Sequence, residues 1–150
     1  MPADLSGFNA AHTWPGAAEE SCRSWQITLP ASAQSAGLAR EVTRKVLASW
    51  RLADLEETAV LLVSELVGNV VQHAHTGGHV LALRLEAAST YLRIEVHDAD
   101  PRPPRRRTPA ELDESGFGFV LVDALAAQWG VRQKATGKAI WAELDSPQLP

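Results

Sequence analysis

From Leu92 to His97 the chain reads "LRIEVH", with Leu92, Ile94 and Val96 alternating with Arg93, Glu95 and His97. A period of two belongs to a pleated strand whose successive side chains point to opposite faces. One face here is apolar and the other charged, so the sheet it joins needs cover on one side only. Helices with an apolar stripe supply such cover. Just upstream, Leu81, Leu83 and Leu85 share one face of a second strand. Earlier still, "SWQITLP" turns Trp25, Ile27 and Leu29 to one side and stops at Pro30, whose ring ends pairing.

Two helical patterns lie between these strands. In the first, Leu38, Val42, Val46 and Trp50 recur every four residues, with Ala39 and Leu47 beside them. The second runs Leu55, Ala59, Leu62, Val63, Leu66, Val70. Ser32 or Ser35 is placed to cap the first and Asp54 the second, where Glu56 and Glu57 suit the positive end of the helix dipole. "GFGFVLVDALAAQWG" predicts a third helix with Val120, Leu121, Ala124 and Leu125 inward. "VRQKATGKAIWAEL" predicts a closing hairpin around Thr136-Gly137. The order β-α-α-β-β-loop-α-β-β implies an α/β (α+β) two-layer sandwich, a mixed, mostly antiparallel sheet with helices on one face.

A length of 150 residues suits one domain with a real core. Residues 1–20, small, polar and proline-punctuated, read as a flexible tail, residues 21–145 as the domain and 146–150 as a C-terminal tail. The sequence has neither a run of roughly 20 apolar residues that would span a membrane nor a secretory leader pattern. Cys22 is the only cysteine, which excludes an internal disulfide and a CxxC site. A cytoplasmic protein without membrane attachment is expected. The net charge of −4 opposes general nucleic-acid affinity. The local run "PRPPRRR" is followed closely by Glu111, Asp113 and Glu114.

The stretch "SELVGNVVQHAHTGG" sets a Gly-Asn pair, a common turn signal, inside the second helical pattern. The apolar spacing continues through the pair from Leu66 to Val70, and a single interior glycine costs a helix only about 1 kcal/mol. The reading is therefore an unbroken helix. On it Glu65, Asn69 and His73 drift by about 40° per four residues and form one narrow stripe, edged by Ser64 and Gln72. Such a stripe is commonly a solvated face. Where it borders the apolar stripe, a carboxylate, an amide and an imidazole can instead hold a cation and activate a nucleophile.

Two further segments carry chemistry. "VHDAD" ends the alternating strand in Asp98 and Asp100, and a carboxylate at a strand end either starts a loop or accepts a hydrogen bond from an exocyclic amine such as that of adenine. Residues 98 to 115 then hold four prolines and no hydrophobic period, as a functional or disordered loop does. "ESGFGF" opens the third helix with Gly-x-Gly, which either marks a simple loop-to-helix junction or lets backbone amides approach a phosphate. It follows a Pro/Arg loop, not a strand, so it is not the dinucleotide fingerprint. His73, His75 and His79 make a poor zinc set, because His73 and His75 stand about 200° apart on a helix and no Cys or acid is near. No Gly-x-Ser-x-Gly elbow supports a Ser-His-Asp triad.

Taken in order, "ELVGNVVQHA", "VHDAD", "GFGFVLVDALAAQWG" and the hairpin "ATGKAIWAEL" resemble the GHKL (Bergerat-fold) ATPase superfamily. Within it, the bacterial anti-sigma-factor serine/threonine kinases are most similar, and the resemblance spans roughly residues 22 to 145. It implies ATP and Mg²⁺ as cofactors. Asn69 would ligate Mg²⁺ through its side-chain oxygen, Glu65 would be the catalytic base, and Asp98 would bind the adenine amino group. Gly116 and Gly118 would offer amides to the phosphates, with one of Arg105, Arg106 or Arg107 adding charge. His73, Asp100, Phe117 and Phe119 complete the expected nucleotide-binding set.

The resemblance also implies what the protein does and with whom. It would phosphorylate an anti-sigma antagonist protein on serine and bind a sigma factor or a similar regulator, with homodimers common among relatives and no direct nucleic-acid contact. Four positions depart from the pattern: Gly68 for the usual Thr, Ser or Ala, Asp100 for Gly or Ser, Phe117 for a basic residue, and Ala139 near a Thr that helps bind adenine through water. These departures motivate an alternative, an ATP-dependent protein-binding switch with weak catalysis.

Overall fold

A computed structural model describes residues 22–73, 79–98, 116–134 and 137–146, the backbone alone at residues 73 and 116–118. The chain order is β1 (Arg23–Pro30), α1 (Ala33–Ser49), α2 (Glu56–His73), β2 (Val80–Ala87), β3 (Tyr91–Asp98), α3 (Gly116–Leu125), β4 (Gln128–Gln133) and β5 (Lys138–Asp145). The strands form one sheet in the order β1-β2-β3-β5-β4. Every described pair is antiparallel, and α1 and α2 pack together over it. This is the two-layer sandwich expected from the element order. No described helix is long and apolar enough to cross a membrane.

Strand parity decides what the helices bury. Leu81, Leu83 and Leu85 of β2 and Leu92, Ile94 and Val96 of β3 are fully enclosed and belong to one hydrophobic core with Leu62, Val63, Leu66 and Val70 of α2. Each such aliphatic side chain contributes about 1.5–3 kcal/mol when removed from water. The register aligns the sets: Leu83 faces Val96, and Val96 faces Ile140 of β5.

The other face of the sheet is charged. Glu95 is wholly buried there. It lies 2.9 Å from Arg132 Nη2, 3.4 Å from Arg93 Nε and 2.7 Å from His97 Nε2. Arg93 also reaches Glu143 at 2.8 Å and stacks 4.4 Å above the Trp141 ring. Lys134 Nζ donates to His97 Nδ1 at 2.9 Å, so Nδ1 holds a lone pair and the ring proton sits on Nε2, toward Glu95. Burial pushes the Glu95 carboxyl up, but His97, Arg132 and Arg93 together outweigh it and hold the group below the usual glutamate range.

Between α1 and α2 the chain reverses through a tight cap. Leu52 N–H donates to Leu47 O at 2.8 Å and Arg51 N–H to Ala48 O at 3.1 Å, the two bonds of a Schellman motif. Arg51 sits at φ 60°, the left-handed region where glycine is usual. A short 3-10 turn, Ala53–Leu55, leads into α2, so Asp54 is part of that turn and not a lone cap. Ser32 occupies the N-cap of α1 without a side-chain cap bond. Ser35 Oγ instead donates back to Pro30 O, tying α1 to the end of β1.

The third helix departs from expectation in phase and length. Val122 is its buried residue, Phe119 and Leu125 pack against the core, and Val120 and Ala124 point outward. Phe119 to Val122 are all apolar, so periodicity could not choose a face. It ends at Leu125, and β4 begins at Gln128 because Gln128, Trp129 and Gly130 pair with Glu143, Ala142 and Trp141.

Arg51→Gly is expected to stabilise the fold by about 1 kcal/mol, read as a higher urea midpoint at unchanged m-value, because glycine accepts φ 60° without the side-chain clash. Glu95 gives a pH test. Its folded pKa is lowered, so its stabilisation is present above the unfolded glutamate pKa of about 4.3 and is lost as pH falls through the lower folded value. Glu95→Gln should cost about 1–3 kcal/mol at pH 7. It should also flatten the fall in stability between roughly pH 5 and 2 relative to wild type, in urea titrations across that range.

Candidate functional site

The helix α2 runs unbroken from Glu56 to His73 and passes straight through Gly68-Asn69. With Leu62, Val63, Leu66 and Val70 committed to the core, the phase of Glu65 and Asn69 is fixed. Glu65 is half-buried. Asn69 is buried at 8% exposure, and its Oδ1 has no hydrogen-bond partner among the described residues. A buried amide oxygen left unpaired costs about 1–3 kcal/mol, so this atom is an acceptor waiting for a donor or a cation. Arg40 Nη1 donates to Ser64 Oγ at 3.1 Å, clamping α1 to α2 beside Glu65.

Asp98 is the last residue of β3 and continues the parity of Leu92, Ile94 and Val96. The strand therefore carries its carboxylate on the helix-covered face, where it is 5% exposed. In the ladder Asp98 stands between Leu81 of β2 and Lys138 of β5. His79, buried just before β2, meets Asp98 Oδ1 through its Nε2. Its carbonyl accepts a hydrogen bond from Ala31 N–H at 2.9 Å, which fixes it to the junction of β1 and α1.

The hairpin register also places Ala139. It pairs with His97 and Arg132, on the charged outer face. The β5 residue that shares a face with Asp98 is Lys138, buried at 6%. Counting motif letters could not distinguish neighbours in a strand, where a shift of one residue reverses the face. His79 was visible in the sequence only as a weak zinc candidate. Its position one residue before an apolar strand antiparallel to "LRIEVHD" was the signal that brings it beside Asp98.

Gly116, Phe117 and Gly118 form the first turn of α3, where backbone N–H groups have no intrahelical partner. The side chain of Phe117 lies outside the described residues, as do Asp100, Arg105, Arg106 and Arg107 and the side chain of His73. The Phe119 ring stacks on Trp129, centroids 5.0 Å apart and planes 10° from parallel. Trp129 Nε1 in turn donates to Asp123 Oδ1 at 2.8 Å, so α3 is anchored to β4 from its first turn. α3 also packs on α2, and the described chain offers a buried amide oxygen at Asn69, a strand-end carboxylate at Asp98 and first-turn backbone N–H groups in α3.

This donor set suits Mg²⁺, which takes hard oxygen ligands and usually keeps waters and phosphate oxygens for most of its sites. A family model described as the histidine kinase-like ATPase domain matches residues 29–144. The chain belongs to this ATPase family. The match runs from the end of β1 to β5 and takes in Glu65, Asn69 and Asp98, in agreement with the resemblance to the GHKL superfamily.

Among the relatives of this ATPase domain, an uncharacterized protein of Streptomyces coelicolor, SCO4941, is 36% identical over 83 residues, covering 54% of this chain and 79% of its own length. The crystal structure of the RsbU and RsbW domains of Rv1364c from Mycobacterium tuberculosis superposes with a TM-score of 0.57 at 21% identity. It covers 83% of this chain, which spans only 33% of that one, and the likeness is one of fold.

A Cβ built on Gly68 would meet nothing within 4 Å. Gly68→Ala should therefore stabilise the protein by about 0.5–1 kcal/mol by stiffening the helix, measured as a rise of a few degrees in Tm.

Proposed function

We propose that this domain, residues 21–145, binds Mg·ATP and acts as an anti-sigma-type regulator that phosphorylates a serine or threonine of an antagonist protein. The observation that carries the reading is the buried, unpartnered Asn69 Oδ1, one helical turn after Glu65 on the helix that covers Asp98's face of the sheet. Membership of the ATPase family supports nucleotide binding. The fold likeness to a protein with an RsbW domain supports the regulatory role.

In this reading Asn69 holds Mg²⁺, which when bound neutralises phosphate charge. Asp98 accepts a hydrogen bond from the adenine amino group, and the first-turn amides of α3 at Gly116 and Gly118 receive phosphate oxygens. His73, Asp100, Phe117 and Phe119 border the nucleotide. The incoming hydroxyl gives its proton to Glu65 as its oxygen bonds to the γ-phosphorus, while the bond from that phosphorus to the β–γ bridging oxygen breaks and ADP leaves. Positioning and charge neutralisation carry most of such a transfer, and Glu65 needs only to face the hydroxyl.

The partners in this proposal are the antagonist protein and a sigma factor or similar regulator, bound in the cytoplasm, with a second copy of the chain as a further partner and no direct nucleic-acid contact. A second reading, a nucleotide-dependent binding switch with weak catalysis, draws on the uncharged Phe117 between the two glycines. Formation of a phosphorylated partner distinguishes the two.

Thermal shift tests nucleotide binding first. Saturating Mg·ATP at 100-fold above its Kd should stabilise wild type by about 2.7 kcal/mol. The shift should need Mg²⁺ and disappear in Asn69→Ala; no shift in wild type would end both readings. In single-turnover transfer to a partner, Glu65→Gln should lower the rate about 10²-fold or more while keeping the thermal shift.

A further inference from the structure

His79 is used by nothing in the mechanism above, yet it is the side chain in contact with Asp98. The two side chains are only 6% and 8% exposed. The histidine is held from two directions, by the Asp98 contact at its ring and by Ala31 N–H at its carbonyl. It thus forms a fixed post beside the carboxylate, anchored to the β1–α1 junction and not to β3.

A carboxylate has two acceptor oxygens and turns about its Cβ–Cγ bond unless something stops it. Nε2 of His79 engages Oδ1, which leaves Oδ2 as the oxygen for a ligand. On the same face of the ladder the directly opposite residue in β5 is Lys138, and opposed side chains in an antiparallel pair approach within about 5 Å at Cβ. Among the described residues, His79 supplies the side-chain contact that fixes the rotation of this carboxylate. A carboxylate fixed as a pure acceptor rewards a 6-amino group and opposes a 6-oxo group, whose lone pairs would face it.

We propose that His79 is a positioning residue that sets purine specificity. By holding Oδ1 of Asp98 it aims Oδ2 at the exocyclic amine of the base and so separates 6-aminopurine from 6-oxopurine nucleotides. The proposal rests on Asp98 being the adenine acceptor.

Equilibrium binding of the full chain to Mg·ATP and to Mg·ITP, which carries a 6-oxo group, tests it. Wild type should prefer ATP about 10²-fold or more. His79→Ala and His79→Phe should each weaken ATP about tenfold with little change for ITP, so that the ratio falls about tenfold. His79→Gln, able to place an N–H near the position of Nε2, should restore most of the ratio. The phenylalanine variant fills the volume without a donor and gives the answer if the alanine variant does not fold.

Equal weakening of ATP and ITP in both variants, or an unchanged ratio, would show a merely structural histidine and overturn the proposal. Asp98→Asn separates the two levels. If it leaves the ATP/ITP ratio untouched, the adenine reading itself fails. If it collapses the ratio while the His79 variants do not, only the role of His79 fails.

Discussion

The alternation of β3 governs the rest of the structure. Leu92, Ile94 and Val96 must leave water together, and in a pleated strand that places Arg93, Glu95 and His97 on the opposite side without exception. Because Asp98 has the parity of the leucines, the strand delivers a carboxylate to the edge of its own hydrophobic layer. An acid at that point is adjacent to dry surface, and α2, one of the helices that keep the layer dry, also carries Asn69. Site and core are thus two parts of one periodic pattern.

The two faces of the sheet handle charge differently. On the outer face Glu95 is enclosed by Arg93, Arg132 and the His97 ring, and its role is structural. On the inner face Asp98 has a single described contact, His79, and Asn69 Oδ1 has none among the described residues. Enclosed ion clusters give a sheet a defined register and leave no acceptor for a ligand. A partly satisfied pair gives less stability and retains capacity to bind.

Much of this was legible beforehand, and the exceptions share a cause. The strands, the two covering helices and the unbroken course of α2 follow from strong periodicities that tertiary packing reinforces. Glu65, Asn69 and Asp98 could be singled out because each interrupts or ends such a pattern. The face of α3 could not be read, since Phe119, Val120, Leu121 and Val122 are all apolar and only contact with α2 and β4 selects among them. That Lys138 shares a face with Asp98 could not be read either, because the hairpin register depends on pairing and not on local sequence. His79 needed the antiparallel geometry of β2 and β3 before its relation to Asp98, nineteen positions later in the chain, had any meaning.

The continuity of α2 has a consequence for how such a protein can vary. The same rigid rod carries the core stripe and Asn69, and each residue added to a helix turns everything beyond it by about 100°. An inserted or deleted residue between Leu66 and Asn69 would swing the amide out of place with the core above it still intact. An exchange of residue type in this segment alters one side chain, whereas a change in its length moves every side chain beyond it. The spacing along α2 thus fixes where Asn69 stands relative to the core.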